Sequence, residues 1–301
     1  MVDDIGPHHF YRHSGLVVRS DIPLPEWEAF RATGPDTESD VLIRLEDPVA
    51  SVEERLPQVD GNGIVFSVAG IGRWCIAGGN RILITPVANA GVPELRLFTL
   101  GSAWGALGYQ RGLTMLHGSA VRVKDRTLLF CGTQEQGKST IAAALVARGG
   151  TLVADDLARV DPPAGEGRAL AWPSSTRMKL WREAVAHFGW DDRIAQRDHF
   201  RDDKFHLALG SVAGCEPGAL HAIIVLVWGE QVRLDRLTGG DAVGQVLQAS
   251  CYRPDMLEAM DLTGAYAAQV ARIVGATPVW RLTRPRDFAR LDAVCDLVQG
   301  M

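Results

Sequence analysis

The chain contains no apolar run long enough to cross a bilayer. Its longest, "LHAIIVLVW" from Leu220 to Trp228, falls far short of the roughly 20 residues a spanning helix needs. It has no surplus of positive charge either. Thirty-one Lys and Arg against 36 Asp and Glu give a formal net charge of -5, so nucleic acid is not an expected partner. Cysteine is sparse and unpatterned: Cys75, Cys131, Cys215, Cys251 and Cys295 form no CxxC pair. They read as ordinary reduced, buried thiols. The first residues, "MVDDIGPHHFYRHSG", are acidic and then histidine-rich, without the apolar centre of a signal peptide. His8, His9 and His13 have metal-ligand chemistry but read as solvated. Internal repeats and low-complexity segments are absent. A cytoplasmic, soluble protein with no membrane partner is expected. At 47% hydrophobic over 301 residues, it can build two cores, or one large and one small.

What is present divides near residues 93 to 112. The first hundred residues read as a small β-rich domain. "GLVVRS", "DVLIRLED", "GIVFSVAG", "GRWCIAGG" and "NRILITPV" are short strand-like runs between Gly, Pro, Asp and Asn, with "PEWEAFRA" as one helical candidate. Residues 101–301 alternate. A helix is expected over Leu100–Gln110, then strands "LHGSAVRV" and "RTLLFCG" turning at Lys124-Asp125, a helix Lys138–Ala147 and strands "TLVADD" and "RALAWP". After these come a helix Thr176–Phe188, a strand "HAIIVLVW", helices Asp241–Ser250 and Pro254–Val274, a strand "PVWRLT" and a helix Arg286–Gln299. This alternation predicts an α/β architecture with helices against a largely buried sheet.

Between the second of those strands and the helix at Lys138 lies Gly132-Thr133-Gln134-Glu135-Gln136-Gly137-Lys138-Ser139, which satisfies G-x-x-x-x-G-K-[ST]. A strand enters the loop and "STIAAALVARG", a run of good helix formers, leaves it. Backbone N–H groups of such a loop and helix start, through Thr140, gather phosphate oxygens with help from the helix dipole. Lys138 is then expected exposed in the site, reaching the outer phosphates, with the Ser139 hydroxyl on Mg²⁺. Glu135 is the anomaly. A carboxylate beside a triphosphate is repelled by about 1 kcal/mol or more per contact, so its side chain is expected to face solvent, with weakened nucleotide affinity as a consequence.

Asp155 and Asp156 end "TLVADD", where a magnesium site needs a carboxylate and an acceptor hydroxyl needs a base. The residue types do not divide the two roles; Ser139 with Asp156 is one expected metal pair. His117, in "MLHGSAV", lies on a strand expected beside the loop, where it can contact phosphate or tune the carboxylates. Arg177 and Lys179, placed at a helix start, and Arg201, Lys204 and His206 can steady phosphates or an acidic peptide but read as solvated faces.

Together His117-Gly118, Gly132–Ser139 and Val153-Ala154-Asp155-Asp156 resemble the HPr kinase/phosphorylase family, whose core runs histidine-glycine, strand, phosphate loop, helix, then "VADD" or "IADD". The stretches "GLVVRSDIPLPEW", "LGSAWGALGYQRGLTMLHGSAV" and "MKLWREAVAHFG" are similar to those of shorter HPr-kinase-like proteins encoded beside lasso-peptide biosynthesis genes. The resemblance implies a P-loop kinase core of the HPr kinase/PEP carboxykinase type with a small N-terminal β-rich domain. It further implies ATP and Mg²⁺ as cofactors and transfer to a peptide or protein serine, specifically the C-terminal serine of a lasso precursor peptide. Lys138 and Ser139 are then implied to bind phosphate and metal, Asp155 or Asp156 to accept the proton, and His117 to join the site. The loop interior departs from the family's "SGxGKS" as "QEQGKS". A small-molecule kinase on the same scaffold and a catalytically impaired nucleotide- or peptide-binding module are the alternatives; oligomeric state is left open.

Overall fold

The structure is a computed structural model that describes residues 8–32, 38–61, 63–210 and 213–301. The chain separates into two compact units. One runs through Leu113 and takes back Arg253–Tyr266; the other comprises Thr114–Tyr252 and Ala267–Met301. A single cut after residue 100 does not capture the segment that returns from the C-terminal half.

In the first unit, seven strands among the described residues form one sheet. They are β1 (His9–His13), β2 (Leu16–Ser20), β3 (Val41–Leu45), β4 (Arg55–Asp60), β5 (Gly63–Val68), β6 (Gly72–Ala77) and β7 (Arg81–Pro86), in the order β1-β2-β3-β7-β6-β5-β4. The five runs expected from the sequence are all strands; β1 and β4 were not expected. β1 is hidden by its histidines, yet it buries Tyr11 and His13 on alternate positions, the period of a half-buried strand. β4 carries Pro57 and is exposed almost throughout, as an edge strand tolerates. The sheet packs on a helical run of α1 (Val92–Phe98), a widened turn at Thr99–Ala103 and α2 (Trp104–Gln110), which extends the helix expected from Leu100 a further two turns towards the N-terminus.

The second unit is built on a mixed sheet. β8 (Met115–Val123) and β9 (Arg126–Cys131) form the expected hairpin, with Lys124 left-handed at φ +56° in its turn. α3 (Lys138–Ala147) leaves the loop at residues 132–137 with Ile141, Ala142, Ala143, Ala144 and Leu145 all buried, so it is apolar around most of its circumference and lies inside the core rather than on it. β10 (Thr151–Ala154) and β11 (Leu157–Asp161) pair end to end along β8, and β12 (Leu170–Ala171) is all that forms of the "RALAWP" strand.

The expected helix Thr176–Phe188 is half wrong. Arg177–Trp181 is a strand, β13, and the helix α4 is only Arg182–Phe188. Met178 and Leu180 are buried while Arg177, Lys179 and Trp181 face the other way, an alternation of period 2 inside a run that also fits helical spacing. β13 joins β14 (Ile194–Arg197) and β15 (Lys204–Ala208), two strands the sequence did not reveal, in a three-stranded sheet ordered β13-β15-β14. β16 (Gly218–Trp228) runs parallel to β9, and the chain continues through β17 (Arg233–Leu237) and α5 (Gly239–Ser250).

The expected helix Pro254–Val274 is broken into α6 (Pro254–Ala259) and α7 (Thr263–Ala276), with Asp261 left-handed at φ +55° between them. β18 (Val279–Arg284) lies parallel to β16 on its other side, antiparallel β17 closes that edge, and α8 (Leu291–Gln299) ends the chain. Three parallel strands, β9, β16 and β18, therefore end on one side at Cys131, Trp228 and Arg284. In an open α/β sheet that edge is where loops gather a ligand.

Candidate active site

The loop leaves β9 at this edge. Gly132 N–H bonds Ala249 C=O at 3.1 Å and Gln136 N–H turns back to Thr133 C=O at 3.3 Å. By contrast, the N–H groups of Gly137, Lys138, Ser139 and Thr140 have no acceptor within the described protein, nor do those of Thr133, Gln134 and Glu135. The first amides of a helix have no intrahelical partner, and donors so placed can bind an anion.

Gly137 is left-handed at φ +72°, a conformation that suits glycine; Glu135 takes φ +63° with a Cβ that does not. Its side chain is exposed, as expected. Gln134 and Thr133 are exposed too. Lys138 corrects the expectation of an exposed lysine. It is 8% accessible, and its ammonium folds back to donate to Gly132 C=O at 2.8 Å and Thr133 C=O at 3.0 Å. Burial pushes its pKa down, against the pull of the nearby aspartates.

The two aspartates diverge at a three-residue turn. Leu157 N–H bonds Asp155 C=O at 2.9 Å across Asp156, which is left-handed at φ +72°. Such a turn is rare and strained, and it sends neighbouring carboxylates to different partners. Asp155 Oδ1 accepts from Ser139 Oγ at 2.9 Å and Ser119 Oγ at 2.6 Å, and its Oδ2 accepts from Lys179 N–H at 2.9 Å. Asp156 Oδ2 pairs with Lys179 Nζ at 2.9 Å, and its Oδ1 lies 3.4 Å from His117 Nδ1. The carboxylate beside Ser139 is thus Asp155, and the expected pairing of Ser139 with Asp156 does not form.

Burial alone would raise the Asp156 carboxyl, but Lys179 and His117 overrule it and hold it well below the usual carboxylate range. Its side chain remains 39% accessible, so it is reachable from solvent. Burial opposes the charge on Lys179 in turn, and Asp156 overrides that and raises its pKa. His117 stands opposite Leu157 in the β8–β11 ladder, bonds Asp156 C=O at 2.7 Å through Nδ1, and has its ring 5.7 Å from that of Tyr252. Burial lowers its pKa, with Asp156 opposing.

The small sheet presents Lys179 and Lys204 on one face, since Lys179 opposes His206 and Trp181 opposes Lys204. Lys204 lies 5.5 Å from the Trp181 ring, and burial lowers its pKa. His206 is engaged elsewhere, 3.1 Å from Asp198, and Arg201 is exposed. His13 is neither solvated nor a ligand candidate: it is buried and stacks on Trp27 at 3.9 Å. Of the other early histidines, His8 pairs with Asp21 at 3.2 Å and His9 sits in β1 opposite Ser20.

Two members of the cluster were not read from the sequence. Ser119 had a signal, since it stands two residues from His117 on the same strand face. Arg284, whose Nη2 donates to Gln136 C=O at 2.8 Å, had none beyond its place at the end of a strand.

Ser139 Oγ and Asp155 Oδ1, 2.9 Å apart, are hard oxygen donors that suit Mg²⁺. Among the described residues no group of three or more His, Cys, Asp or Glu could hold a metal. Ser139 and Asp155 are the residues that could hold a divalent ion. No described helix is long and apolar enough to cross a membrane.

No family model matches the chain, and no curated protein matches it. Among solved structures, the HPr(Ser) kinase/phosphatase from Coxiella burnetii is similar over 62% of this chain and 94% of its own, at 16% identity and a TM-score of 0.32. A likeness that loose carries no residue-by-residue correspondence.

Proposed function

We propose that this chain is an ATP-dependent serine kinase, acting on a peptide or protein hydroxyl with Mg²⁺. The observation that carries the reading is the contact of Ser139 with Asp155 at 2.9 Å beside a loop of amides without acceptors, Gly137 to Thr140. Those amides hold phosphate oxygens at the start of α3. Lys138 exchanges its contacts with the Gly132 and Thr133 carbonyls for the outer phosphates, which stabilise its charge better than carbonyl dipoles do. Ser139 and Asp155 would hold a magnesium ion, which would supply neutralisation of phosphate charge.

Asp156 is the accessible carboxylate. It accepts a hydrogen bond from the acceptor serine hydroxyl and takes its proton as the serine oxygen bonds the γ-phosphorus and the bond to the β-phosphate oxygen breaks, releasing ADP. A depressed pKa makes Asp156 a weak base, but a loose phosphoryl-transfer transition state demands positioning more than basicity. His117 and Lys179 fix its orientation. Lys179 also ties the two aspartates together, since its N–H holds Asp155 and its ammonium holds Asp156.

The acceptor we propose is the C-terminal serine of a lasso precursor peptide, a reading supported by the stretches quoted above. Incubation with Mg·ATP and peptides bearing internal or C-terminal serine, followed by mass spectrometry, tests it. A mass gain of one phosphate on the C-terminal serine is expected. Gain only on internal serines sinks the acceptor reading, and ATP binding without transfer to any hydroxyl sinks the kinase.

A further inference from the structure

A trans peptide holds its C=O and N–H on opposite sides of the chain. In the peptide joining Gln136 to Gly137, the carbonyl accepts from Arg284 Nη2 at 2.8 Å. The Gly137 N–H therefore points away from Arg284, and it has no acceptor within the described protein. The same Nη2 would lie 2.3 Å from a Cβ at position 137. Glycine there permits both the left-handed backbone and the close approach of the guanidinium.

Arg284 is expensive to keep. It is 5% accessible and makes no ion pair with a carboxylate among the described residues. Its Nε has no hydrogen-bond partner, and neither has Gln136 Oε1 next to the bond it makes. The Trp228 ring, whose centre is 4.1 Å from the guanidinium carbon, covers it. Burial lowers its pKa to about 10, which leaves it charged at neutral pH. A buried guanidinium without a counter-charge destabilises a fold unless something offsets it. The phosphate loop is what it touches.

We propose that Arg284 is a positioning residue of the phosphate site: it locks the Gln136–Gly137 peptide with its N–H turned to the phosphate oxygens and supplies buried positive charge behind the loop. This rests on the phosphate-binding reading of residues 132–140. The arginine acts through the peptide plane without touching the ligand, so replacing it should weaken phosphate binding while leaving the fold in place.

The test is calorimetric titration of Mg·ATP and of inorganic pyrophosphate into wild-type protein, Arg284→Met and Arg284→Gln, with the Gly137 amide resonance followed alongside. Arg284→Met is expected to lose about tenfold in affinity for both probes, the size of one charge-assisted hydrogen bond. Its melting temperature should be unchanged or higher, because an unpaired buried charge is gone. Arg284→Gln, which keeps a donor for the carbonyl, should recover part of the loss. At saturating ATP the Gly137 amide should shift further in wild type than in Arg284→Met. A folded Arg284→Met with wild-type affinity and shift overturns the proposal. Should that variant not fold, Arg284→Gln decides, and unchanged affinity there overturns it equally. Wild-type protein that binds neither probe overturns the proposed function itself. Binding that Lys138→Ala abolishes and Arg284 variants leave intact overturns only the role of Arg284.

Discussion

The two units hold their large buried polar side chains with different kinds of partner. In the first, Trp74 Nε1 donates to Thr99 Oγ1 at 2.9 Å, the Tyr11 hydroxyl accepts from Leu24 N–H at 2.8 Å, and Arg96 meets Glu26 at 3.0 Å. Those side chains have partners of matching character, as a stable core requires. In the second, buried Lys138 is held by carbonyls and buried Arg284 by a carbonyl and the Trp228 ring, Glu135 and Asp156 take left-handed backbone, and a row of amides at the head of α3 has no acceptor within the described protein. Lys138, Arg284 and Glu135 lie in or against the loop at residues 132–137 and Asp156 lies in the turn beside Asp155, whereas the first unit has its own left-handed residues at Ser14, Arg253 and Asp261. Under the function proposed above, a phosphate ligand would supply the acceptors that this group of side chains and amides lacks.

That contrast can be broken by mutation. Trp74 is fully buried, so Trp74→Ala should cost about 3–5 kcal/mol by denaturant unfolding, while the folded protein keeps its affinity for Mg·ATP. A parallel fall in affinity would blur the contrast. Lys138→Ala should show the reverse: about a hundredfold loss of ATP affinity, near 2.7 kcal/mol, with unfolding free energy within about 1 kcal/mol of wild type. Wild-type ATP affinity in that variant would remove the site.

Smaller effects sharpen the comparison. The folded pKa of Asp156 is depressed, so its contribution to stability is present above its unfolded value of about 3.9 and is lost as pH falls through the folded one. That of Lys179 is raised, so its contribution is complete below about pH 10 and is lost above it. Lys179→Met should therefore cost about 1 kcal/mol, discounted for the exposure of Asp156. The cost should be flat between about pH 5 and 9 and shrink below about pH 4. A cost that grows as the pH falls below 4 would contradict the ion pair. Least of all, Glu135→Gly should raise stability by roughly 0.5–1 kcal/mol by relieving the left-handed strain. It should also tighten ATP binding severalfold by removing a negative charge; weaker binding would show that the carboxylate serves the site.

Much of the frame was legible beforehand. Helix α3 begins at Lys138 as expected, because glycine, strand and helix formers lie within a few consecutive residues. The five strands expected in the first unit are likewise marked by their own turns. β13 was misread because "RMKLWREAV" satisfies a helical and an alternating pattern over so short a span that only its pairing with β15 decides between them. The buried state of Lys138 was not legible because the loop turns the carbonyls of Gly132 and Thr133 towards its ammonium, an arrangement that a motif does not display.

The residue sequence by itself determined the strand, the glycine-bounded loop and the helix that leaves it, because these follow from spacing along a continuous stretch of backbone. Tertiary structure alone decided that Asp155 turns to Ser139 and Asp156 to His117 and Lys179. It alone brought Arg284 under Gln136, 148 residues away in sequence. Those choices depend on which strands pair and on one strained turn, and pairing between distant strands is fixed by the whole core rather than by any local run of residues.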